Sequence, residues 1–232
     1  LGHSFSAQYF NAKFARQGID ALFELYALPH ISQLTVLLKD KPGLRGLSVT
    51  IPHKISVMPY LQYTDSAAMA VGAVNCIKIK EGQLSGFNTD VIGFSNSVKP
   101  LLKKQHQKAL VLGNGGAARA VVYVLNQLHI QYQIVSRQAG SKLLSYADLT
   151  PDLVAQTHLI INTTPLGMMP YTNACPPLPY EAISKEHLLF DLVYNPEETL
   201  FMKKGIARGA VVKNGLEMLY LQAEAAWAIW NS

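Results

Sequence analysis

Gly113, Gly115 and Ala118 stand at G-x-G-x-x-A spacing inside KALVLGNGGAARAVVYVLNQL (108–128). The apolar run before them reads as a strand, and the stretch after them reads as a helix. In that setting the spacing has a physical meaning. Gly113 permits a tight turn, Gly115 lets backbone approach a pyrophosphate, and Ala118 lets helix and strand pack closely. The helix N-terminus then offers unpaired N–H groups to phosphate. A glycine turn without a ligand is the other reading.

The next strand, YQIVSR (132–137), sharpens this. Sites for NAD usually place a carboxylate there, about 20 residues on, to accept from the ribose hydroxyls. This chain has Ser136 and Arg137 instead. A guanidinium pairs with a ribose 2′-phosphate, which favours NADP over NAD. A surface arginine at a strand end is the alternative.

Hydride transfer to a ketone builds negative charge on oxygen, and a proton donor must meet it. Lys54 closes GLSVTIPHK (46–54) and Asp90 closes LSGFNTD (84–90), so each follows a strand-like stretch. If those strands approach one another, the two side chains share a cleft. A neighbouring carboxylate favours the charged lysine, so Lys54 serves most directly as the acid of a reduction. As the base of an oxidation it needs burial to oppose that carboxylate. An ordinary salt bridge is the competing reading. The histidines are scattered and Cys76 and Cys175 have no ligand spacing, so no metal site is expected.

These groups need rigid elements to hold them. In the first part, 6–18 reads as a helix stopped by Gly18, 22–28 as a strand, and 29–43 as a helix closed by Pro42 and Gly43. Residues 46–51 alternate as a strand that Pro52 ends. Residues 73–90 read as a hairpin turning at Glu81-Gly82, and 91–104 as a helix interrupted by Pro100. Beyond 107, apolar strands at 132–137, 158–165, 187–194 and 209–215 alternate with helices, and 215–230 is an apolar helix. That alternation predicts a parallel sheet covered on both faces. The expected fold is α/β with two domains: an N-terminal α/β substrate domain (1–104, rejoined by helix 216–232) and a Rossmann-type doubly wound dinucleotide-binding domain (105–215).

Hydrophobic content of 49% against 15% charged argues against disorder. The net charge of +5 is spread thinly; its densest run, KPLLKKQHQK (99–108), reads as a solvated helix end. Without a clustered basic face interleaved with aromatics, nucleic acid is not an expected partner. No apolar run approaches a membrane span, so no membrane is expected either. The cysteine pattern points to a reduced, cytoplasmic compartment. Interface residues carry no signature; the oligomeric state is left open, with a homodimer among the alternatives.

GHSFS (2–6), GLSVTIPHK, GAVNC (72–76), GFNTDVIG (86–93), GNGGAARA (113–120), NTTPLGM (162–168) and DLVYNPEETLF (191–201) occur in one order with consistent spacing. Together with GLEMLYLQAEAAWAIW (215–230), this series resembles the shikimate dehydrogenase family over nearly the whole chain. The resemblance implies NADP-dependent, reversible reduction of 3-dehydroshikimate to shikimate. Lys54 would transfer the proton, with Asp90 as its partner. Ser4 and Ser6 would donate to the substrate carboxylate, with Tyr194 nearby, and Thr50, Asn75, Asp90 and Gln222 would hold the ring hydroxyls. Gly113, Asn114, Gly115, Gly116 and Ala117 would take the pyrophosphate, and Ser136 and Arg137 the adenosine phosphate. Leu192 and Gly215 would lie near the nicotinamide. Ser6 also suits a helix N-cap, and Asn162, Thr163 and Thr164 read as strand end and turn.

The chain departs from the family pattern in places. Ala7 stands where a proline is usual, Phe10 where a histidine is common, and Gln138 where a threonine follows the arginine. The last change leaves NAD as the alternative cofactor and an NAD-preferring quinate/shikimate dehydrogenase as the alternative activity. A non-catalytic ligand-binding homologue would be expected to lack Lys54 or Asp90. The chain also begins at the element that usually follows a first strand, whose loss would take one strand from the first sheet.

Overall fold

The computed structural model describes residues 4–138, 140 and 143–232. Gly2 and His3 of GHSFS lie outside them. The chain divides into two compact units, Leu1–Arg45 and Gly46–Ser232.

In the first unit, α1 (Phe5–Gln17) is capped by Ser4, whose Oγ accepts from Ala7 N at 3.4 Å. The cap is therefore Ser4 and not Ser6, which lies within the first turn. Gly18 stops the helix in the left-handed region at φ 64°, as its position suggested. The strand expected at 22–28 does not form: these residues carry no regular structure. Asn11 explains part of this. Its amide donates to Phe23 O at 3.0 Å and accepts from Phe23 N at 2.8 Å, so a side chain takes the bonds a neighbouring strand would make. The helix expected at 29–43 is a 3-10 turn, Ile31–Gln33, running into α2 (Leu34–Asp40).

The second unit holds two sheets. β1 (Gly46–Ser48) leads through a turn into α3 (His53–Ser56), so the first strand is shorter than its alternation suggested and Lys54 sits on a helical turn. β2 (Tyr63–Thr64), α4 (Ser66–Val71), β3 (Cys76–Lys80) and β4 (Gln83–Phe87) follow. The four strands order as β1-β3-β4-β2. Glu81 and Gly82 both have positive φ, 52° and 76°, which is the type I′ geometry that suits a two-residue hairpin. α5 (Thr89–Val98) then ends in a 3-10 turn carrying Pro100.

The remaining elements are β5 (Lys108–Leu112), α6 (Gly116–Gln127), β6 (Gln131–Ser136), β7 (Leu143–Ser145), α7 (Pro151–Ala155), β8 (Leu159–Asn162), β9 (Leu188–Asp191), α8 (Leu200–Ile206), β10 (Val211–Lys213) and α9 (Leu216–Trp230). The strands at 158–165, 187–194 and 209–215 are each shorter than expected, and β7 was not anticipated. The six-stranded sheet is parallel throughout, in the order β7-β6-β5-β8-β9-β10. The chain works outward from β5 in one direction and then from β8 in the other. This is the doubly wound order with its switch point between β5 and β8. Leu110 and Leu112 face one buried layer while Ala109 and Val111 face the other, so both faces of the sheet are covered.

α9 touches both sheets. Its Met218 packs into the layer containing Phe94, Val111 and Phe190, while Trp230 Nε1 at its far end donates to Ile77 O of β3 at 3.0 Å. Midway it crosses α5 at Gly93, where an added Cβ would lie 2.5 Å from Met218 O and 3.0 Å from Gln222 Cβ. Neither backbone can yield without separating the helices. Gly93→Ala is expected to cost about 1–3 kcal/mol. Urea unfolding checks this as a lowered midpoint with an unchanged slope; an unmoved midpoint would show that the crossing tolerates the methyl group.

Candidate active site

Asn75 lies between Gly72, which closes α4, and the start of β3. Its main chain extends the sheet: Val49 N donates to Asn75 O at 2.8 Å, and Asn75 N donates to Phe87 O at 3.1 Å. Its side chain works at the start of α5. Asn75 Nδ2 donates to Asp90 Oδ1 at 2.8 Å, and Oδ1 accepts from Thr89 N at 2.7 Å. Asn88 caps the same helix: its Oδ1 accepts from Val91 N, and its amide donates to Ala73 O at 2.9 Å. Asp90 thus lies in the first turn of a firmly held helix, where the macrodipole favours a carboxylate.

Lys54 approaches from α3. Val74 N donates to Lys54 O at 2.8 Å, which ties this short helix to the residue before Asn75. Lys54 Nζ reaches Asp90 Oδ2 at 2.6 Å. The two side chains are only 21% and 15% exposed, so water screens this pair less than it would a surface bridge. Asp90 has one oxygen on Asn75 and the other on Lys54. Among the described residues the ammonium has no other protein acceptor, which leaves two of its three protons for a ligand.

The network continues into α9. Thr89 Oγ1 lies 3.2 Å from Asn75 Oδ1 and 3.3 Å from Gln222 Oε1, while Gln222 Nε2 donates to Leu219 O at 3.0 Å. The structure therefore brings Lys54, Asp90, Asn75 and Gln222 into one hydrogen-bonded group. Thr50 is exposed beyond the end of β1, and its carbonyl accepts from His53 N at 2.9 Å. Ser4 and Ser6 belong to the first unit. Cys76 beside Asn75 is no nucleophile, because burial pushes its thiol up to about 12.

The glycine turn leaves β5 for α6. Gly113 has φ 108°, and a Cβ there would lie 2.6 Å from Thr163 Oγ1, so both backbone and space demand glycine. Around Gly115 and Gly116, in contrast, a Cβ would meet nothing within 4 Å. The N-terminus of this 12-residue helix is open, and Ala118 is packed against the sheet. That combination fits a pyrophosphate. Ser136 ends β6 and its hydroxyl donates to Gln138 O; Arg137 beside it is exposed. Leu192 and Tyr194 follow β9, and a Cβ on Gly215 would collide with Leu192 O. Among the described residues no three metal-ligating side chains cluster, and no helix is long and apolar enough to cross a membrane.

The sequence reading gave Asn162 as a strand end, where β8 does end, but did not join it to a second polar group. Asn162, Asp191 and Thr199, at the ends of β8 and β9 and the start of α8, are all buried, and both Asn162 and Thr199 donate to Asp191. The available signal was a polar residue closing each of two apolar strands.

Residues 1–77 match the family model described as "Shikimate dehydrogenase substrate binding domain". The shikimate dehydrogenase (NADP(+)) of Methanococcus maripaludis is 37% identical over 250 residues, covering 100% of this chain and 88% of that protein. A shikimate 5-dehydrogenase from Thermus thermophilus, solved in complex with NADP(H) and shikimate, is 30% identical with TM-score 0.87; the match covers 99% of this chain and 89% of that one. Another, from Listeria monocytogenes in complex with shikimate and NAD, is 25% identical with TM-score 0.89, covering 100% and 88%.

Asn75→Ala is expected to leave Thr89 N–H and Asp90 Oδ1 without their partner and to lower stability by about 1–3 kcal/mol. Urea unfolding at neutral pH checks this. A midpoint equal to that of the parent would mean that Asn75 carries no part of the hold on α5.

Proposed function

The chain belongs to the shikimate dehydrogenase family, and we propose that it catalyses the reversible, NADP-linked reduction of 3-dehydroshikimate to shikimate. The observation that carries this reading is the 2.6 Å contact between Lys54 and Asp90, with Asn75 holding the free oxygen of the carboxylate. The protein is then an oxidoreductase of chorismate and aromatic amino acid biosynthesis.

NADP, when bound, supplies or accepts the hydride. Lys54 delivers a proton to the ketone oxygen in the reducing direction and recovers it in the other. Asp90 aims the ammonium and balances its charge, so the donor stands on a fixed element at the moment charge develops. Asn75 and Gln222, already joined through Thr89, are the proposed holders of ring hydroxyls, with Thr50 added from the family pattern. Ser4, Ser6 and Tyr194 are the proposed partners of the substrate carboxylate. The open start of α6, Gly113 to Ala117, is the proposed pyrophosphate cradle. Ser136 and Arg137 take the adenosine phosphate, and Leu192 and Gly215 border the nicotinamide.

The reading assigns 1–104 with α9 to substrate and 105–215 to cofactor. The two free cysteines support a reducing, cytoplasmic setting, and a homodimer is the proposed alternative to a monomer. A second reading is an enzyme preferring NAD and accepting quinate; its cofactor half is favoured by Gln138, which follows Arg137 where the family usually has a threonine, and its substrate half turns on the room around Ser4, Ser6 and Tyr194.

Nicotinamide absorbance with shikimate or quinate against NADP or NAD separates the two readings. Turnover is expected to be fastest with shikimate and NADP. Lys54→Ala is expected to lower kcat by roughly 10²–10⁴-fold, the usual worth of a positioned proton donor. An intact protein with no turnover, or a Lys54→Ala variant as active as its parent, would remove the proposal.

A further inference from the structure

Asp191 is a fully buried carboxylate that the proposed chemistry does not use. Its Oδ1 accepts from Asn162 Nδ2 at 2.9 Å and Val193 N at 3.0 Å, and its Oδ2 accepts from Thr199 Oγ1 at 2.6 Å. Asn162 leads to the turn after β8, while Val193 and Thr199 stand at the two ends of the connection from β9 to α8. Asn162 Oδ1 in turn accepts from Thr164 N at 3.0 Å and Thr164 Oγ1 at 2.6 Å, which fixes the turn after β8. The preceding Thr163 donates through Oγ1 to Leu112 O at 2.7 Å and lies against Gly113. On the other side, Val193 stands between Leu192 and Tyr194, and its carbonyl accepts from Gly215 N at 3.1 Å. Thr199 caps α8.

We propose that Asp191 is a positioning residue for the dinucleotide, its carboxylate holding the Thr163–Thr164 turn and the Leu192–Tyr194 segment, and through them Gly113 and Gly215, in one arrangement. This rests on the proposed function for the identity of the ligand and adds a residue that touches neither substrate nor cofactor.

The energetics separate this role from simple support of the fold. Among the described residues no cation pairs with Asp191. Burial pushes its carboxyl up to about 6, against the pull of Thr199, Val193 and Asn162. Among the described residues, Tyr180 feels the charge of Asp191, and its phenol is pushed up by burial first, then by Cys175 and Asp191; Tyr180 donates to Pro176 O at 2.8 Å, and Lys204 Nζ lies 4.6 Å over its ring. A folded Asp with a raised pKa binds its proton more tightly than the unfolded chain does. Its contribution to stability is therefore complete below the unfolded value near 4 and is lost as pH rises through about 6. At neutral pH the ionised group costs stability and in return makes three charge-assisted bonds, each stronger than its neutral counterpart. An asparagine of the same shape keeps the two bonds to Oδ1 and can donate to Thr199 Oγ1, so it holds the fold without the charge.

The experiment uses the full chain with Asp191→Asn, Thr199→Val and Thr199→Ser. NADP dissociation constants are measured by calorimetry from pH 5.5 to 8, alongside thermal midpoints and shikimate KM. At pH 7.5 Asp191→Asn is expected to bind NADP about fivefold or more weakly. Its midpoint should stay at or above the parent's, with shikimate KM within about twofold. The ratio of its constant to the parent's should fall toward one as pH drops through about 6; the ratio cancels the titration of the ligand's own phosphate. Thr199→Val should move that inflection in the parent's affinity upward, and Thr199→Ser should restore it. Equal constants for Asp191→Asn and parent across the pH range overturn the inference, as does weaker binding accompanied by a lowered midpoint. Should Asp191→Asn fail to fold, an inflection unmoved by Thr199→Val overturns it instead. A parent that binds no dinucleotide overturns the proposed function as well; a parent that turns over shikimate beside an indistinguishable Asp191→Asn overturns this inference alone.

Discussion

Every polar group of Asn75 makes a hydrogen bond, with one Nδ2 proton left over among the described residues, and the site depends on those bonds. Its backbone joins β1 to β4 across the start of β3, and its amide joins the first turn of α5 to the carboxylate of Asp90. A side chain with one donor end and one acceptor end is needed for this, because Asp90 Oδ1 must receive and Thr89 N must give. Aspartate could not donate, and an apolar residue of similar size would do neither. With Asn75 in place, Asp90 has one oxygen left, and it points at Lys54. The direction of the ammonium is thus set by an amide that never touches it.

α9 extends this constraint across the unit. The helix begins at Gly215 against Leu192, passes Gln222 beside Thr89, and ends with Trp230 on Ile77. Glycine is required at three of these contacts because backbone or ring atoms come closer than a methyl group allows: Gly215 against Leu192 O, Gly93 against Met218 O, and Gly46 against the Trp230 ring. A 15-residue helix spans about 22 Å at 1.5 Å per residue, enough to reach from the end of β9 to the four-stranded sheet. Close approach at fixed points makes it a strut whose register is specified.

How much was legible beforehand follows from the range of the interactions. The glycine turn, the hairpin at Glu81-Gly82 and the stop at Gly18 are local, and each could be read from a few neighbouring residues. The nearness of Lys54 and Asp90 was readable as a condition, that two strands approach. Register supplies the condition: Ser48 faces Cys76, which faces Phe87. The stretch 22–28 misled because apolar content favours extended backbone without providing a partner, and Asn11 took the bonds of Phe23 instead. β7 has three residues, too few for alternation to show. Thr89 and Gln222 are 133 positions apart, and no local pattern connects them.

Two carboxylates, Asp90 and Asp191, show how differently one chemical group can be held. Asp90 has a cation at 2.6 Å, a helix N-terminus around it and partial exposure, so its charge is compensated where it stands. Asp191 has three neutral donors and no measurable exposure, so its charge is compensated only in part. The first arrangement presents an ammonium with free protons to whatever enters beside it. The second presents nothing; its bonds all run to backbone and to side chains that shape loops. A compensated charge can stay only partly exposed because losing a little water costs it little. An uncompensated one must be enclosed by donors, and Asp191 accordingly sits between the turn after β8 and the connection from β9 to α8, bonded to both.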